Sequence, residues 1–360
     1  MKKTLIAAAV LSLAGSAMAQ SSVVIYGIID AAVTHGAGSG AGATSKTALT
    51  SGNTAGSRLG FRGVEDLGGG MSAGFVLEAG LLIDDGEGIA TNTNNQNTGA
   101  APAGQVAMMF GRRSTVSLFA PWGEIRLGRD FSSQYRNRVE VDPFANAGIG
   151  TIQPQSGSLG GLVSTRATNI IGYHLPDNLG GWYGQAQVYL GENVSGTPDS
   201  DSGTGMNFRL GYINKDLNVS VSDSKTSYLA SATAGDITSL SVAVQYRIKD
   251  VNLMTGWYRD TVTRTLDTLV GEGWTAGGIW TVGPDNIKFA FSRYGQDLGA
   301  KPSTDKLSLG VEHSLSKRTL LYATGAQTYN SGGAKVALGG TTTAANETSW
   351  AYELGMKHTF

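Results

Sequence analysis

The chain has 360 residues with 27 basic and 28 acidic side chains, which leave a formal charge of −1. This balance offers no attraction for nucleic acid, so no nucleic-acid partner is expected. Cysteine is absent, which excludes a disulfide framework and a thiolate metal site. The four histidines are scattered without metal-ligand spacing, so neither a metal nor another cofactor is expected.

The N-terminal segment has the pattern of a cleaved signal peptide. The basic start Met1-Lys2-Lys3 precedes an apolar stretch that is too short to span a bilayer, and Ala17-Met18-Ala19 fits the small-x-small cleavage rule. The expected division is a signal peptide over 1–19 and one mature domain over 20–360. Without Lys2 and Lys3 the mature chain keeps 25 basic and 28 acidic residues, a formal charge of −3.

In the mature chain, segments in which apolar and polar residues alternate are joined by connections, and short connections alternate with long ones. Hydrophobic residues make up 41% of the sequence, yet no apolar run after the signal is long enough for a transmembrane helix. The predicted strands are 22–34, 55–64, 71–82, 106–119, 123–130, 165–175, 181–191, 204–214, 217–226, 237–249, 251–263, 271–281, 287–295, 303–314, 319–328 and 347–360. This pattern predicts an all-β fold, a closed transmembrane antiparallel barrel of about sixteen strands with short periplasmic turns and long external loops.

Tryptophan and tyrosine residues occur mostly near predicted strand ends, where amphipathic rings favour a membrane interface. The residues assigned to such girdles are Trp122, Trp182, Tyr183, Tyr212, Tyr246, Trp257, Tyr258, Trp274, Trp280, Tyr294, Tyr322 and Phe360.

Arginines on the predicted strands are the residues most relevant to function. In the segment 57–63, Leu59 and Phe61 share one face, and Arg58 and Arg62 share the other. A guanidinium in hydrocarbon costs about 2–4 kcal/mol at mid-depth, so these arginines are expected to face the lumen. The alternation of side chains along a strand does not decide which of the neighbouring Arg112 and Arg113 points inward.

The last nine residues, Tyr352–Phe360, alternate strictly and end on an aromatic residue. Together with the segments 25–30, 57–71, 110–118, 127–129 and 141–144, this strand resembles the Gram-negative trimeric general-diffusion porins, especially their neisserial and β-proteobacterial branch. The resemblance covers essentially the whole mature chain.

The resemblance implies a passive channel for small hydrophilic solutes and ions in the outer membrane of a Gram-negative bacterium. In that family the third external loop folds into the lumen, and its acids face a basic ladder across the pore. Residue by residue, Arg58, Arg62, Arg112 and Arg166 match the ladder, and Asp142 and Glu140 match the loop acids. Arg136 and Arg138 on the same loop, residues 131–164, offset those acids and favour a mild anion preference.

The resemblance also implies partners: a homotrimer with loop 84–104 reaching a neighbour, outer-membrane lipids, and the barrel-assembly machinery that reads Phe360. The alternatives are a substrate-specific channel, which aromatic slides or dense lysine patches would favour, and a barrel with an adhesin role for its external loops. A barrel enzyme would need a nucleophile and a base within hydrogen-bond reach, which the histidine spacing does not offer.

Overall fold

A computed structural model describes residues 22–89, 95, 109–156, 159 and 165–360. The predicted signal peptide, residues 1–19, lies outside the described residues and stays a prediction. The described chain is almost entirely β-structure. Its strands are β1 (Ser22–Gly38), β2 (Ser45–Ser51), β3 (Arg58–Gly68), β4 (Met71–Leu82), β5 (Glu87–Gly88), β6 (Arg113–Ala120), β7 (Gly123–Phe131), β8 (Arg166–His174), β9 (Trp182–Tyr189), β10 (Gly205–Ile213), β11 (Leu217–Thr226), β12 (Asp236–Ile248), β13 (Val251–Thr263), β14 (Thr268–Val282), β15 (Asp285–Gln296), β16 (Ser303–Ser314), β17 (Thr319–Ser331) and β18 (Thr348–Thr359).

These strands form one closed antiparallel barrel. The first strand pairs with β18 on one side, and on its other side with β2 along its later half and β3 along its earlier half. Strands β2 and β3 therefore fill one barrel position between them, and β5 is a two-residue piece that pairs only with the end of β4. Sixteen barrel strands result, which confirms the predicted number.

One external hairpin is longer than predicted. The sequence assigned residues 35–54 to a loop, whereas β1 runs on to Gly38 and β2 returns from Ser45 to Ser51. Glycine supplies the turn between them, because Gly40 and Gly42 take positive φ angles of 85° and 76°. Because this segment is polar, the sequence analysis assigned it to a loop, although much of it forms two paired strands.

The two faces of the barrel wall have the opposite arrangement to that of a soluble protein. On β6, Thr115 and Ser117 are buried on the inner face, and Val116 and Leu118 are exposed on the outer face. The same alternation runs through β10 to β17. An apolar exterior around a polar interior is the pattern of a barrel that spans a lipid bilayer.

The aromatic assignments hold only in part. Trp122, Trp182, Trp280 and Tyr246 are exposed on the outer surface near the short turns. The rings of four tyrosines assigned to the girdles instead lie on the inner side, where polar partners are available. The Tyr183 hydroxyl donates to Asn218 Oδ1 at 2.6 Å, and the Tyr294 hydroxyl donates to Asp260 Oδ2 at 2.7 Å. The Tyr322 hydroxyl donates to Asp30 Oδ1 at 2.5 Å, and the Tyr258 ring lies under the Arg138 guanidinium.

The long connection between β7 and β8 folds into the lumen, as the third loop was predicted to do. It contains α1 (Ser133–Val139) and α2 (Gln153–Ser156). The Ser132 side chain caps α1 by accepting a hydrogen bond from the Tyr135 amide at 3.3 Å. Among the described residues, no helix is long and apolar enough to cross a membrane.

The C-terminal residue closes the seam of the barrel. Gly27 and Phe360 exchange two backbone hydrogen bonds of 3.1 Å, and the Phe360 ring lies over Gly27, where a Cβ atom would overlap it. An open seam in lipid would leave backbone groups without partners, and each costs several kcal/mol.

Deleting Phe360 is therefore expected to lower the amount of folded barrel in the outer membrane severalfold, without affecting export across the inner membrane. The measurement is the heat-modifiable band in outer-membrane fractions, with Phe360→Tyr as the control that keeps an aromatic ring. Wild-type levels of the truncated chain would contradict this expectation.

Candidate functional site

The third loop is held against the barrel wall along its whole described length. On α1, the Asn137 amide donates to Ser241 Oγ at 2.9 Å, and at α2 the backbone amide of Gln153 donates to Ser292 Oγ at 2.8 Å. Nearer the tip, the Lys306 ammonium donates to the Thr151 carbonyl at 2.7 Å. Because these partners lie on β12, β15 and β16, the loop crosses the lumen and narrows it.

Three of the four predicted ladder arginines meet in the lumen. Arg112 Nε donates to Glu78 Oε1 at 2.7 Å, and Arg58 Nη1 lies 3.7 Å from the same oxygen. Arg166 Nε donates to the Arg112 carbonyl at 2.8 Å. The Glu78 carboxylate thus pairs with two guanidinium groups, and a third is joined to them through the Arg112 backbone; we call Arg58, Arg112 and Arg166 the arginine cluster.

Arg62, the fourth predicted residue, lies lower on the same inner face. It follows Arg58 by four residues on β3, toward the short turn at Gly68, and its guanidinium stands 5.4 Å from the centre of the Tyr26 ring. The side chain is exposed and makes no described contact with the arginine cluster. It extends the basic face toward the periplasm.

The base of the third loop gives the arginine cluster a rigid aromatic support. The Arg166 guanidinium lies 4.6 Å from the centre of the Phe131 ring, and Phe131 stacks on Tyr135 with ring centres 4.8 Å apart. A guanidinium over an aromatic face keeps its charge and its in-plane donors. The stack therefore orients Arg166 and leaves it able to bind an anion.

A second group of arginines surrounds the buried carboxylate of Asp130, an acid that the sequence analysis did not single out. Arg126 binds Asp130 directly, Arg113 Nε lies 3.7 Å away from it and Arg136 Nη2 3.3 Å. Arg126 also makes a bidentate pair with Glu124, with both distances 2.7 Å. Parity had left residues 112 and 113 undecided, and the structure directs both into the lumen.

The two groups together carry a local positive charge. Their members are Arg58, Arg112, Arg113, Arg126, Arg136 and Arg166 against Glu78, Glu124 and Asp130. Six cations and three anions leave a formal excess of +3 around the base of the loop. The full chain is formally −1, so the sign of the charge in these two groups differs from that of the protein as a whole.

Asp142 does not face the arginines, which corrects its predicted role. Its carboxylate is buried and accepts hydrogen bonds from the backbone amides of Phe144 at 2.9 Å, Asn146 at 2.9 Å and Ile152 at 3.3 Å. Burial raises the pKa of this carboxyl above its usual range, although the three amides act in the opposite direction. Asp142 folds the tip of the loop, and nothing in its contacts directs it at a passing ion.

The Glu140 carboxylate is likewise bound by side chains of the barrel wall. Its Oε2 atom accepts from the Arg209 guanidinium, from Tyr183 Oη at 3.4 Å and from Asn218 Nδ2 at 3.3 Å. An ion pair with Arg209 cancels its charge, so the prediction that Glu140 faces the ladder is corrected as well.

Arg138 also differs from its predicted role of offsetting the loop acids. Only 1% of the residue is exposed, and its guanidinium binds Asp260, Ser239 Oγ at 2.9 Å and the Pro154 carbonyl at 3.2 Å. It joins α1 to α2 and to the wall. The two arginines of the loop therefore separate in function, because Arg136 belongs to the basic lumen and Arg138 to the anchor.

The acids that do pair with the arginines, Glu78 in the arginine cluster and Asp130 in the second group, were missed. Glu78 shares its face of β4 with Val76 and Leu82 as well as with small residues, and a carboxylate within a strand, which must avoid lipid, was the available signal. Asp130 directly follows Arg129 at the end of a predicted strand, where a bulge between Gly128 and Asp130 shifts the register. Simple parity fails at such a bulge.

The comparisons with known proteins agree with this architecture. The family model of the Gram-negative porin matches residues 4–357. Outer membrane porin protein 32 of Delftia acidovorans is 32% identical over the full length of both chains, and major outer membrane protein P.IB of Neisseria meningitidis serogroup B is 26% identical over 89% of this chain and 91% of its own. The structure of the anion-selective porin from Comamonas acidovorans superposes with a TM-score of 0.83 at 27% identity, covering 95% of this chain and 100% of that one. This chain therefore belongs to the Gram-negative porins, proteins of the outer membrane that form water-filled channels for the passive diffusion of small hydrophilic solutes and ions.

Proposed function

We propose that this porin is a general diffusion channel with a preference for anions, and that the arginine cluster creates the preference. The supporting observation is that Arg58 and Arg112 share one carboxylate, Glu78, while Arg166 binds the Arg112 carbonyl and has no ion pair among the described residues. A solved relative with the same architecture carries the description anion-selective. Arginine-lined passages raise the local concentration of anions.

The mechanism needs no covalent chemistry. Fixed positive charges in a narrow passage with low-dielectric walls lower the energy of an entering anion and raise that of a cation. The guanidinium groups are partly exposed, with 21% of the Arg58 side chain and 15% of the Arg112 side chain accessible. An ion can therefore meet them through water and leave again, as diffusion requires. We propose no catalytic activity.

The test is the reversal potential of the purified channel in a planar bilayer under a potassium chloride gradient. The expected result is a modest anion preference that weakens as salt rises, because the Debye length falls from about 10 Å at 0.1 M to about 3 Å at 1 M. Strong cation selectivity would overturn the proposal. Saturable block by one solute would favour the alternative of a substrate-specific channel.

The proposed assembly is a homotrimer through the wall near the chain termini, inserted by the barrel-assembly machinery. The supporting observation is the outer face of β17, β18 and β1, where Tyr329, Trp350, Tyr352, Leu354 and Val33 are exposed. This wall is apolar and carries no charge at these positions, as suits contact with a neighbouring subunit.

The latch role of loop 84–104 stays a prediction, since only residues 84–89 and 95 of it are described. Asn95 docks on its own barrel: its side chain accepts from the Thr168 amide at 2.7 Å and donates to the Thr168 carbonyl at 3.0 Å. Asn95 itself is therefore fixed on β8.

A further inference from the structure

The connection between β17 and β18 also folds into the barrel, on the side of the long loops. The Val336 amide donates to Asn330 Oδ1 at 3.0 Å, and the Leu338 amide donates to Ser349 Oγ at 3.0 Å. Asn330 and Ser349 are buried on the inner faces of β17 and β18. Residues 336–340 therefore line the wall from inside, and we call them the inner segment.

The tip of the third loop packs against the inner segment. A single buried apolar cluster joins the two, and its members are Ile149, Ala326, Leu338 and Ala351. The Glu353 carboxylate on β18 accepts hydrogen bonds from the Asn53 side-chain amide at 2.7 Å and from the Ile149 backbone amide at 3.3 Å. The loop tip, the inner segment and the wall thus hold one another in place.

A chamber of about 460 Å³ lies between these elements and the inner face of the hairpin formed by β1 and β2. Small-molecule sites in proteins are clefts of about 300–1,000 Å³, so the chamber is large enough for a solute of monosaccharide size. The polar side chains in its lining include Thr34, Lys46, Thr50, Asn53, Thr151 and Lys306. None of the described residues that line it is an arginine or an acid, so it is separate from the arginine cluster.

Asn53 offers an unused hydrogen-bond acceptor to the chamber. Only 7% of the residue is exposed, and its side-chain nitrogen donates to Thr34 Oγ1 at 3.1 Å as well as to Glu353. The Asn53 Oδ1 atom has no hydrogen-bond partner among the described residues. A buried acceptor without a partner is unfavourable, so a solute hydroxyl group that donates to this oxygen is stabilised there.

Two ammonium groups give the chamber a positive charge. Lys46 is exposed at the rim and has no ion pair in the described part of the chain, and its Nζ lies 3.9 Å from where a Cβ atom on Gly340 would stand. Lys306 is 3% exposed and donates to the Thr151 carbonyl at 2.7 Å. Because an ammonium group has three donors, this bond leaves Lys306 able to donate to a ligand as well.

The acids nearest to the chamber lie behind its lining. The carboxylates that act on Lys306 are those of Asp142 and Glu353, and both side chains are buried. Each accepts hydrogen bonds from amide groups of the loop tip, and neither lines the chamber. The charge that a solute meets at the rim is therefore that of Lys46.

The polar groups are spread along the length of the chamber. Ala48 and Thr50 are in register with Thr34 and Ala32 on the inner face of β1, and Lys46 has the same parity on β2. Four residues separate Lys46 from Thr50, which is roughly 13 Å along the strand. An elongated solute with a charge at one end and hydroxyl groups along its length matches this arrangement.

We propose that the chamber binds a sugar acid, a six-carbon chain that carries one carboxylate and several hydroxyl groups. The carboxylate lies beside Lys46, while hydroxyl groups donate to Asn53 Oδ1 and accept from Lys306. Hydrogen bonds between an ammonium group and a carboxylate are about twice as strong as those between neutral groups, so the acid group favours this ligand over a neutral sugar. The hydroxyl groups favour it over a simple carboxylic acid, which would leave Asn53 Oδ1 without a partner.

The experiment titrates gluconate onto the detergent-solubilised full oligomer and follows binding by saturation-transfer NMR. Glucose supplies the hydroxyl groups without the charge, and acetate supplies the charge without the hydroxyl groups. One test variant is Ala48→Trp, which fills the chamber, and its matched control is Leu49→Trp on the exposed outer face of the same strand. The other test variant is Lys46→Gln, with the exposed Lys335→Gln as the control for loss of charge on the side of the long loops.

The expected result is saturable binding of gluconate to the wild type, tighter than that of glucose or acetate. Ala48→Trp should abolish this binding, and Lys46→Gln should weaken it about threefold, as suits loss of one exposed ion pair. Leu49→Trp and Lys335→Gln should bind gluconate as the wild type does, and all four variants should remain heat-modifiable oligomers.

Unchanged gluconate binding by Ala48→Trp overturns the chamber as the site. Affinity for acetate equal to that for gluconate overturns the role of the hydroxyl groups, and equal affinity for glucose overturns an acid as the ligand. Arg58→Gln/Arg112→Gln/Arg166→Gln should keep gluconate binding, and its loss in that variant alone would assign the solute to the arginine cluster instead. The reversal potential of the wild type tests the anion preference by itself, so the two proposals can fail separately.

Discussion

Neutralising the arginine cluster, as Arg58→Gln/Arg112→Gln/Arg166→Gln, is expected to abolish or invert the anion preference of the channel. The local formal charge around the base of the third loop would fall from +3 to zero. A unit charge about 7 Å from an ion changes its energy by about 0.6 kcal/mol in water, and screening at 0.1 M halves this to about 0.3 kcal/mol. Three charges then change the anion concentration about fivefold and the cation concentration reciprocally, or about 20-fold in ratio.

The measurement is the reversal potential at low and high salt, with single-channel conductance recorded in parallel. Glu78→Gln should act in the opposite direction and strengthen the anion preference, because it frees Arg58 and Arg112 from their shared carboxylate. The variant Lys225→Gln/Arg259→Gln/Arg293→Gln removes the same number of charges from exposed positions on the outer face of the wall and should leave the reversal potential unchanged.

Asp142 provides a further contrast. Since its carboxylate is buried and bonded to backbone amides of its own loop, Asp142→Asn is expected to disturb the loop tip without a systematic shift of selectivity toward anions. A reversal potential that stays at the wild-type value in the arginine variant would show that ions are selected elsewhere in the lumen.

The barrel could be predicted from the sequence because the residue types along each strand reflect which positions face lipid and which face the lumen. Val116 and Leu118 must be apolar to face lipid, whereas Thr115 and Ser117 may be polar because they face water. This constraint acts residue by residue within a strand and needs no knowledge of its neighbours. The positions of Arg58 and Arg62 followed from the same constraint.

The third loop could not be predicted in the same way, because no lipid constrains its residues. Whether Asp142 points at the pore or at its own backbone depends on the turn at Ala145 and Asn146, which take positive φ angles of 53° and 56°. Glu140 could be assigned only with knowledge that Arg209 lies across from it, and their separation in sequence conceals that contact.

The inner tyrosines show a related limit. Tyr294 and Tyr322 have the composition and placement of girdle residues, but their hydroxyl groups donate to Asp260 and Asp30 inside the barrel. Tyrosine is compatible with either face, since its ring suits lipid and its hydroxyl suits a polar lumen. Parity counted from a neighbouring apolar residue would have separated the two groups.

Replacing Arg138 is expected to loosen the third loop while the barrel remains folded. Its guanidinium binds Asp260 on β13, Ser239 on β12 and the Pro154 carbonyl in α2, so a single side chain fastens both helices to the wall. Removal of one partner of a buried ion pair typically costs about 3–5 kcal/mol, because the other charge is left without compensation. The remaining contacts of the loop, such as those of Asn137 and Gln153, would not replace this link.

For Arg138→Met the expected observations are larger current fluctuations and closure at a lower applied voltage in single-channel recordings, with the oligomer still heat-modifiable. Asp260→Asn should be milder, because Tyr294 and Ser239 can still bond the amide. In a double-mutant cycle the two substitutions should be strongly non-additive, since both remove the same contact. Arg264→Gln is the matched control, because its pair with Asp267 is formed within the turn between β13 and β14, outside the lumen. Quiet, wild-type currents in a folded Arg138→Met channel would show that the other wall contacts suffice to hold the loop.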